Sequence, residues 1–94
     1  MSADDDEKLV QALRERERQG ATLLELVDLV HEWYFVPKYN RGILMMPFNN
    51  AFGLGPLDFS KVIFACQIFG NGASVGINET EVLFKKRLEE IRRG

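Results

Sequence analysis

Positions 22–35 read TLLELVDLVHEWYF and carry the clearest helical pattern in the chain. Thr22 and Glu25 have the spacing of a capping box, in which each side chain accepts a hydrogen bond from the other residue's backbone amide. The apolar residues recur at intervals of three and four, which places them on one wide helical face. These residues are Leu23, Leu26, Val27, Val30, Trp33 and Tyr34. The stretch therefore predicts an amphipathic helix that packs into the core.

Helices are also predicted on both sides of this stretch. Residues 4–19 begin with Asp4 as a cap and end before Gly20, a residue that commonly terminates helices. Residues 78–93 begin with Asn78 as a cap and continue with a stripe of apolar residues. That stripe consists of Phe84, Leu88 and Ile91.

Residues 42–78 contain only two charged side chains, Asp58 and Lys61. A solvated surface normally carries many more charges, so this region is expected to be core, buried interface or both. Prolines and glycines between positions 36 and 57 argue against a long helix there. Residues 43–46 predict either a short strand, paired with residues 34–36, or an apolar loop laid over the core.

Residues 58–69 are compatible with two structures. Valine, isoleucine and phenylalanine favour a strand, and Asn71-Gly72 would form a hairpin turn into residues 73–77. Asp58 as a cap and Gly70 as a stop favour a helix instead, and helix is the preferred prediction. The expected fold is a single domain over 1–94, mainly α, with three to four helices and a short strand pair or apolar loop in the middle. The alternative is an α+β fold with two hairpins flanked by helices.

The composition disfavours several classes of protein. The chain has 94 residues and a net charge of −2, whereas nucleic-acid-binding domains are commonly basic. A single cysteine cannot form an internal disulfide, and the start of the chain resembles no secretory signal. No apolar stretch is long enough to cross a bilayer. We therefore expect a soluble cytoplasmic protein without a membrane partner.

The residue types that carry chemistry are scarce. Cys66 and His31 are the only thiol and imidazole, and nothing in the sequence brings them together. We expect His31 to be structural and Cys66 to be a buried apolar residue. One histidine and one cysteine cannot supply a structural zinc site. The sequence predicts no catalytic residue, no metal site, no cofactor and no enzymatic activity.

Aromatic residues and methionines are concentrated between positions 33 and 59. Such residues are enriched in the centres of protein interfaces, although they also form ordinary cores. We expect a protein–protein interaction module of the inhibitor, immunity or accessory-subunit type, binding a protein partner or a second copy of itself. The predicted binding residues are Trp33, Tyr39, Met45, Met46, Phe48 and Phe52.

Two alternatives stay open from the sequence. One is a small-molecule binder or enzyme that uses Cys66 and His31 in an apolar pocket. The other is weak nucleic-acid contact through residues 85–87, Lys-Lys-Arg, on the last predicted helix. Nucleic acid is the less favoured partner because interleaved glutamates reduce the positive field of that helix.

Overall fold

A computed structural model of the chain describes residues 3–35, 42–69 and 75–94. These residues divide into two compact units, Met1–Gly53 and Leu54–Gly94, which are described separately. The single domain expected over positions 1–94 stays a prediction. The prediction of a mainly α fold is confirmed, with five α-helices in the described residues rather than three to four.

Helix α1 spans Ala3–Arg18 and opens the first unit. Its last turn closes as a Schellman motif, in which Ala21 N–H donates to the Arg16 carbonyl and Gly20 N–H donates to the Glu17 carbonyl. Gly20 has a φ of +94°, a left-handed conformation that glycine adopts without a steric penalty. The predicted helix stop at Gly20 is therefore confirmed.

Helix α2 spans Leu23–Tyr34 and packs against α1. Its predicted capping box is present: Glu25 N–H donates to Thr22 Oγ1 at 3.2 Å, and Thr22 N–H donates to Glu25 Oε1 at 3.1 Å. The apolar face is buried, with Leu26, Val27 and Val30 fully inaccessible to solvent. The helix thus contributes much of the interior of its unit.

Helix α3 spans Met45–Phe52 and also packs against α1. The expected strand or apolar loop at residues 43–46 is therefore wrong: residues 42–44 form a turn and Met45 begins a helix. Pro47 does not interrupt this helix, because it lies in the first turn, where a backbone N–H has no intrahelical acceptor in any case. Gly53 closes the helix with a φ of +76°.

The second unit begins with α4 at Pro56–Asp58, which continues directly as a π-helix over Phe59–Ile63. A 3₁₀ turn follows at Gln67–Phe69. Helix was the preferred prediction for this region, and the structure shows helical segments rather than one continuous helix. The α+β alternative is wrong for the described residues, which contain no strand and a single isolated parallel bridge between Cys66 and Val75.

Helix α5 spans Ile77–Arg93 and packs against the π-helix. Its buried residues are Thr80, Phe84 and Leu88. The predicted cap at Asn78 is wrong, because the helix begins one residue earlier and Gly76 occupies the cap position. Thr80 Oγ1 donates to the Gly76 carbonyl at 2.9 Å and ties the first turn to that residue. Within the described ranges, none of the helices combines the length and apolar character needed to cross a membrane.

Candidate functional site: an open groove beside Met46

The structure separates the predicted binding residues into buried and exposed groups. Phe48 and Phe52 lie in the interior and meet edge to face, with ring centroids 5.7 Å apart. Met46 is 74% exposed and Met45 is 40% exposed. Trp33 is partly buried on α2, and Tyr39 lies outside the described residues. Of the four predicted residues on α3, a partner could therefore contact the two methionines directly, whereas the two phenylalanines support them from below.

Met46 lines an open groove between α1 and α3, bordered by the end of α2. The groove continues along α1 as a second hollow that shares Asp6, Val10 and Asn50 with the first. We call the two hollows together the Met46 groove. Its lining residues are Asp6, Glu7, Val10, Arg14, Tyr34, Met46, Pro47 and Asn50.

Arg14 closes one end of the Met46 groove and joins α1 to α3. Its Nε donates to the Ala51 carbonyl at 3.0 Å and its Nη2 donates to the Asn50 carbonyl at 2.9 Å. Carbonyls in the last turn of a helix have no intrahelical donor, and the C-terminal end of the helix dipole attracts a cation. The guanidinium therefore satisfies the end of α3 and fixes the position of that helix against α1.

Tyr34 and Asp6 form the opposite end of the groove. The Tyr34 hydroxyl donates to Asp6 Oδ1 at 3.0 Å and thereby links the last residue of α2 to α1. The pKa of Tyr34 is raised by partial burial, by this hydrogen bond and by the negative charge of Asp6. The ring is held as a neutral phenol that forms one wall of the groove.

The charges along the Met46 groove are unevenly distributed. Asp6 and Glu7 are exposed at the end next to Tyr34. Arg14 lies eight positions further along α1, which corresponds to about 12 Å of helix. Val10 lies between these positions on α1, and Met46 and Pro47 add apolar surface to the hollow that Asp6 and Tyr34 also line. The groove thus combines an apolar centre with a carboxylate-rich end.

Phe35 follows Tyr34 and is the most exposed apolar residue among those described, at 95%. It ends α2 with a φ of +56°, and it is the only described residue other than glycine with a positive φ. A bulky side chain in the left-handed region carries a conformational penalty of about 1 kcal/mol or more. Its backbone N–H donates to the Glu32 carbonyl and closes the last turn of α2, which accounts for the left-handed conformation, whereas so exposed a ring contributes little to packing.

Cys66 and His31 are both buried, in the second and the first unit respectively. The Nδ1 atom of His31 lies 2.7 Å from the Val27 carbonyl oxygen. Since a carbonyl oxygen only accepts, Nδ1 carries the proton and donates within α2. Cys66 is 1% exposed and lies opposite Val75 in the isolated bridge, whose hydrogen bonds to Val75 are made by the backbones of Ala65 and Gln67. Neither side chain is placed at the surface, where it could meet a substrate from solution.

Residues 85–87 of α5 were the candidate nucleic-acid contact, and Arg87 is engaged inside its own unit. Its Nε donates to Asp58 Oδ1 at 2.7 Å. Burial alone would raise the pKa of Asp58, but hydrogen bonds from Arg87 and from Gly55 N–H, together with the Arg87 charge, hold it below the usual value. The Gly55 bond, at 2.9 Å, makes Asp58 a reach-back residue in the first turn of α4 rather than the predicted cap.

No group of three or more potential metal ligands gathers anywhere in residues 3–35, 42–69 and 75–94. Comparison of the chain with protein-family models, with curated proteins and with solved structures gives no match. The arguments for function therefore come from the side chains described above.

Sequence reasoning named Met46 as a binding residue but none of the other residues that line the groove. Val10 was placed on a narrow apolar stripe, and Arg14 among the charged pairs, of a solvated helix that docks by one edge, because a sequence does not show that α3 lies against α1. One weak signal was available: the acidic run at positions 4–7 lies on the same helix as Val10, with Asp6 one helical turn away. Phe35 had no signal, since its left-handed conformation depends on how α2 ends.

Proposed function

We propose that this protein is a non-enzymatic interaction module that binds another protein through the Met46 groove and the adjoining Phe35. An inhibitor or an accessory subunit acts in this way, by occupying a surface rather than by transforming a substrate. The observation that carries the proposal is the exposure of Met46 on the wall of a groove whose other apolar walls are Val10, Tyr34 and Pro47.

Methionine suits such a surface because its side chain is flexible and polarisable and adapts to irregular partners. The groove is also supported from beneath. Phe48 and Phe52, on the same helix as Met46, are buried in the interior, and Arg14 holds the C-terminal end of that helix. A surface held in place before binding loses less entropy when the partner docks. Exposed Phe35 adds a second apolar contact at the end of α2.

The test compares the wild-type chain with three variants in affinity capture from the native cell, with the amount of captured partner measured by quantitative mass spectrometry. Met46→Gln removes the apolar contact while keeping length and helix propensity, and Met46→Leu restores apolar character. Val82→Gln is the matched control, since Val82 is 67% exposed on α5 and does not line the groove.

We expect one protein species to be retained by the wild-type chain, by Met46→Leu and by Val82→Gln, and to be lost by at least about tenfold with Met46→Gln. Light scattering on the purified chain measures self-association in parallel. Equal capture of the same protein by all four forms, together with the same solution mass for all four, would contradict the proposal.

A further inference from the structure

We infer that the occupant of the Met46 groove is a basic amphipathic segment of a partner protein, with its cationic side chains against Asp6 and Glu7. This inference rests on the proposed function and adds to it the chemistry of the partner. It rests on the distribution of charge along the groove, which is a separate observation from the exposure of Met46.

The carboxylates lie on the open side of the groove. Asp6 and Glu7 are exposed, on the first turns of α1. Two further acidic residues, Asp4 and Asp5, precede them in the sequence. A partner that approached this end with its own aspartates or glutamates would meet like charge, which opposes docking. A partner with lysine or arginine would be attracted, and its encounter rate would rise at low ionic strength.

The cation of the groove, Arg14, is exposed but is hydrogen-bonded within its own unit. Two donors of Arg14 are used by the carbonyls of Asn50 and Ala51 at the end of α3. The guanidinium therefore compensates the negative end of that helix dipole, and its capacity to bind an acidic partner is reduced accordingly. The lining of the groove carries two carboxylates, Asp6 and Glu7, and one guanidinium, so its net charge is negative.

The apolar centre sets the second requirement on the partner. Val10, Met46 and Pro47 line the same hollow as Asp6, so an apolar side chain of the partner would be placed there, next to the carboxylates. The distance from Asp6 to Arg14 along α1 is about 12 Å, or about two helical turns. A helix with apolar residues on one face and cations at one end satisfies both requirements, in the manner of helix-in-groove recognition.

The probes are three synthetic peptides of about 18 residues, long enough to hold helical structure. The first has leucines on one face and lysines on the other. The second replaces every lysine with glutamate, and the third keeps the lysines but replaces the leucines with glutamine. Each carries a fluorescent label, and binding to the full chain is followed by anisotropy at about 0.05 M and about 0.5 M salt.

We expect the leucine–lysine peptide to bind at least about tenfold more tightly than either of the others. Its advantage over the glutamate peptide should mostly disappear at high salt, whereas its advantage over the glutamine peptide should remain. Asp6→Asn and Glu7→Gln together should weaken its binding several-fold. Asn at position 6 keeps an oxygen that can accept from Tyr34, so the wall of the groove is preserved. Glu89→Gln with Glu90→Gln on α5 is the matched control, because it removes the same number of charges from residues that do not line the groove.

The outcomes separate the two claims. Equal binding of the lysine and glutamate peptides, still abolished by Met46→Gln, would overturn the basic partner and leave the docking surface standing. The basic partner is likewise overturned if the control pair weakens binding as much as the groove pair, or if no peptide binds. A dimer in light scattering that Met46→Gln dissociates would identify a second copy as the occupant and overturn the inference as well.

Discussion

The two units use acidic side chains in opposite ways. In Leu54–Gly94, Asp58 accepts hydrogen bonds from its own helix turn and from Arg87 on α5. In Met1–Gly53, Asp6 and Glu7 are exposed beside an apolar groove. Both aspartates join two helices, since Asp6 accepts from the Tyr34 hydroxyl, but Asp58 is paired with a cation whereas Asp6 and Glu7 leave negative charge exposed at a candidate docking surface.

Whether a side chain stabilises the fold or is available for binding therefore depends on its burial and its hydrogen-bond partners rather than on its residue type. It also applies within a single helix, since α3 buries Phe48 and exposes Met46. Substitutions of side chains that are buried or paired within the fold should change the free energy of unfolding. Substitutions of exposed side chains at the groove should leave the free energy of unfolding nearly unchanged and should affect binding instead.

The largest effect is expected at Phe48. Phe48→Ala should lower the free energy of unfolding by about 3–5 kcal/mol, because it removes a fully buried ring. Met46→Gln should change the same quantity by less than about 0.5 kcal/mol, since the side chain is mostly exposed. Urea denaturation followed by circular dichroism measures both. A loss at Met46 as large as that at Phe48 would place Met46 in the packed interior.

The ends of α1 and α2 allow a comparison in which the two changes should have opposite signs. Gly20→Ala should lower the free energy of unfolding by about 1 kcal/mol, because alanine is strained at the positive φ of this position. The added Cβ would meet no neighbouring atom, so the loss comes from the backbone alone. Phe35→Gly should raise it by up to about 1 kcal/mol, because it relieves a left-handed phenylalanine that packs on little. Thermal melts of both variants give the signs. A destabilised Phe35→Gly would show that the ring supports the fold.

The acidic residues are compared directly by the same substitution in each unit. Asp58→Asn should lower the free energy of unfolding by about 1 kcal/mol, since it removes the charge that Arg87 and the Gly55 amide stabilise. Asp6→Asn should stay within about 0.5 kcal/mol of the wild-type chain. Urea midpoints at neutral pH decide the matter. Equal losses at the two positions would erase the distinction between the units.

The smallest effect concerns pH. The pKa of Asp58 is lower in the folded chain than its usual value, so the stability it contributes is present above about pH 4 and declines as the pH falls through the folded pKa. Between about pH 4 and pH 2, urea midpoints of Asp58→Asn should fall less steeply than those of the wild-type chain. Asp6→Asn serves as the control. Identical slopes for Asp58→Asn and the wild-type chain would contradict the assignment.

Local signals in the sequence predicted much of the fold. The capping box of Thr22 and Glu25 and the helix stop at Gly20 depend on neighbours within a few positions. Both could therefore be predicted without a structure. The apolar periodicity of residues 23–34 likewise specified the buried face of α2. Pro47 misled the prediction because a proline disrupts a helix interior but is tolerated in the first turn, and the sequence did not show where α3 begins.

The site was less predictable because it depends on contacts between residues distant in the sequence. Arg14 lies more than thirty positions from the Asn50 and Ala51 carbonyls that it binds. Tyr34 and Asp6 are similarly separated. The aromatic and methionine density drew attention to α3, but composition could not distinguish the exposed methionines from the buried phenylalanines.

The central claim is that Met46 contacts a partner protein, and photo-crosslinking in the native cell tests it most directly. A photoreactive methionine analogue is placed at position 46 in one chain, and a photoreactive residue at position 82 in another. We expect a discrete crosslinked product from position 46 that is absent from position 82. No product from position 46, or the same products from both positions, would contradict it.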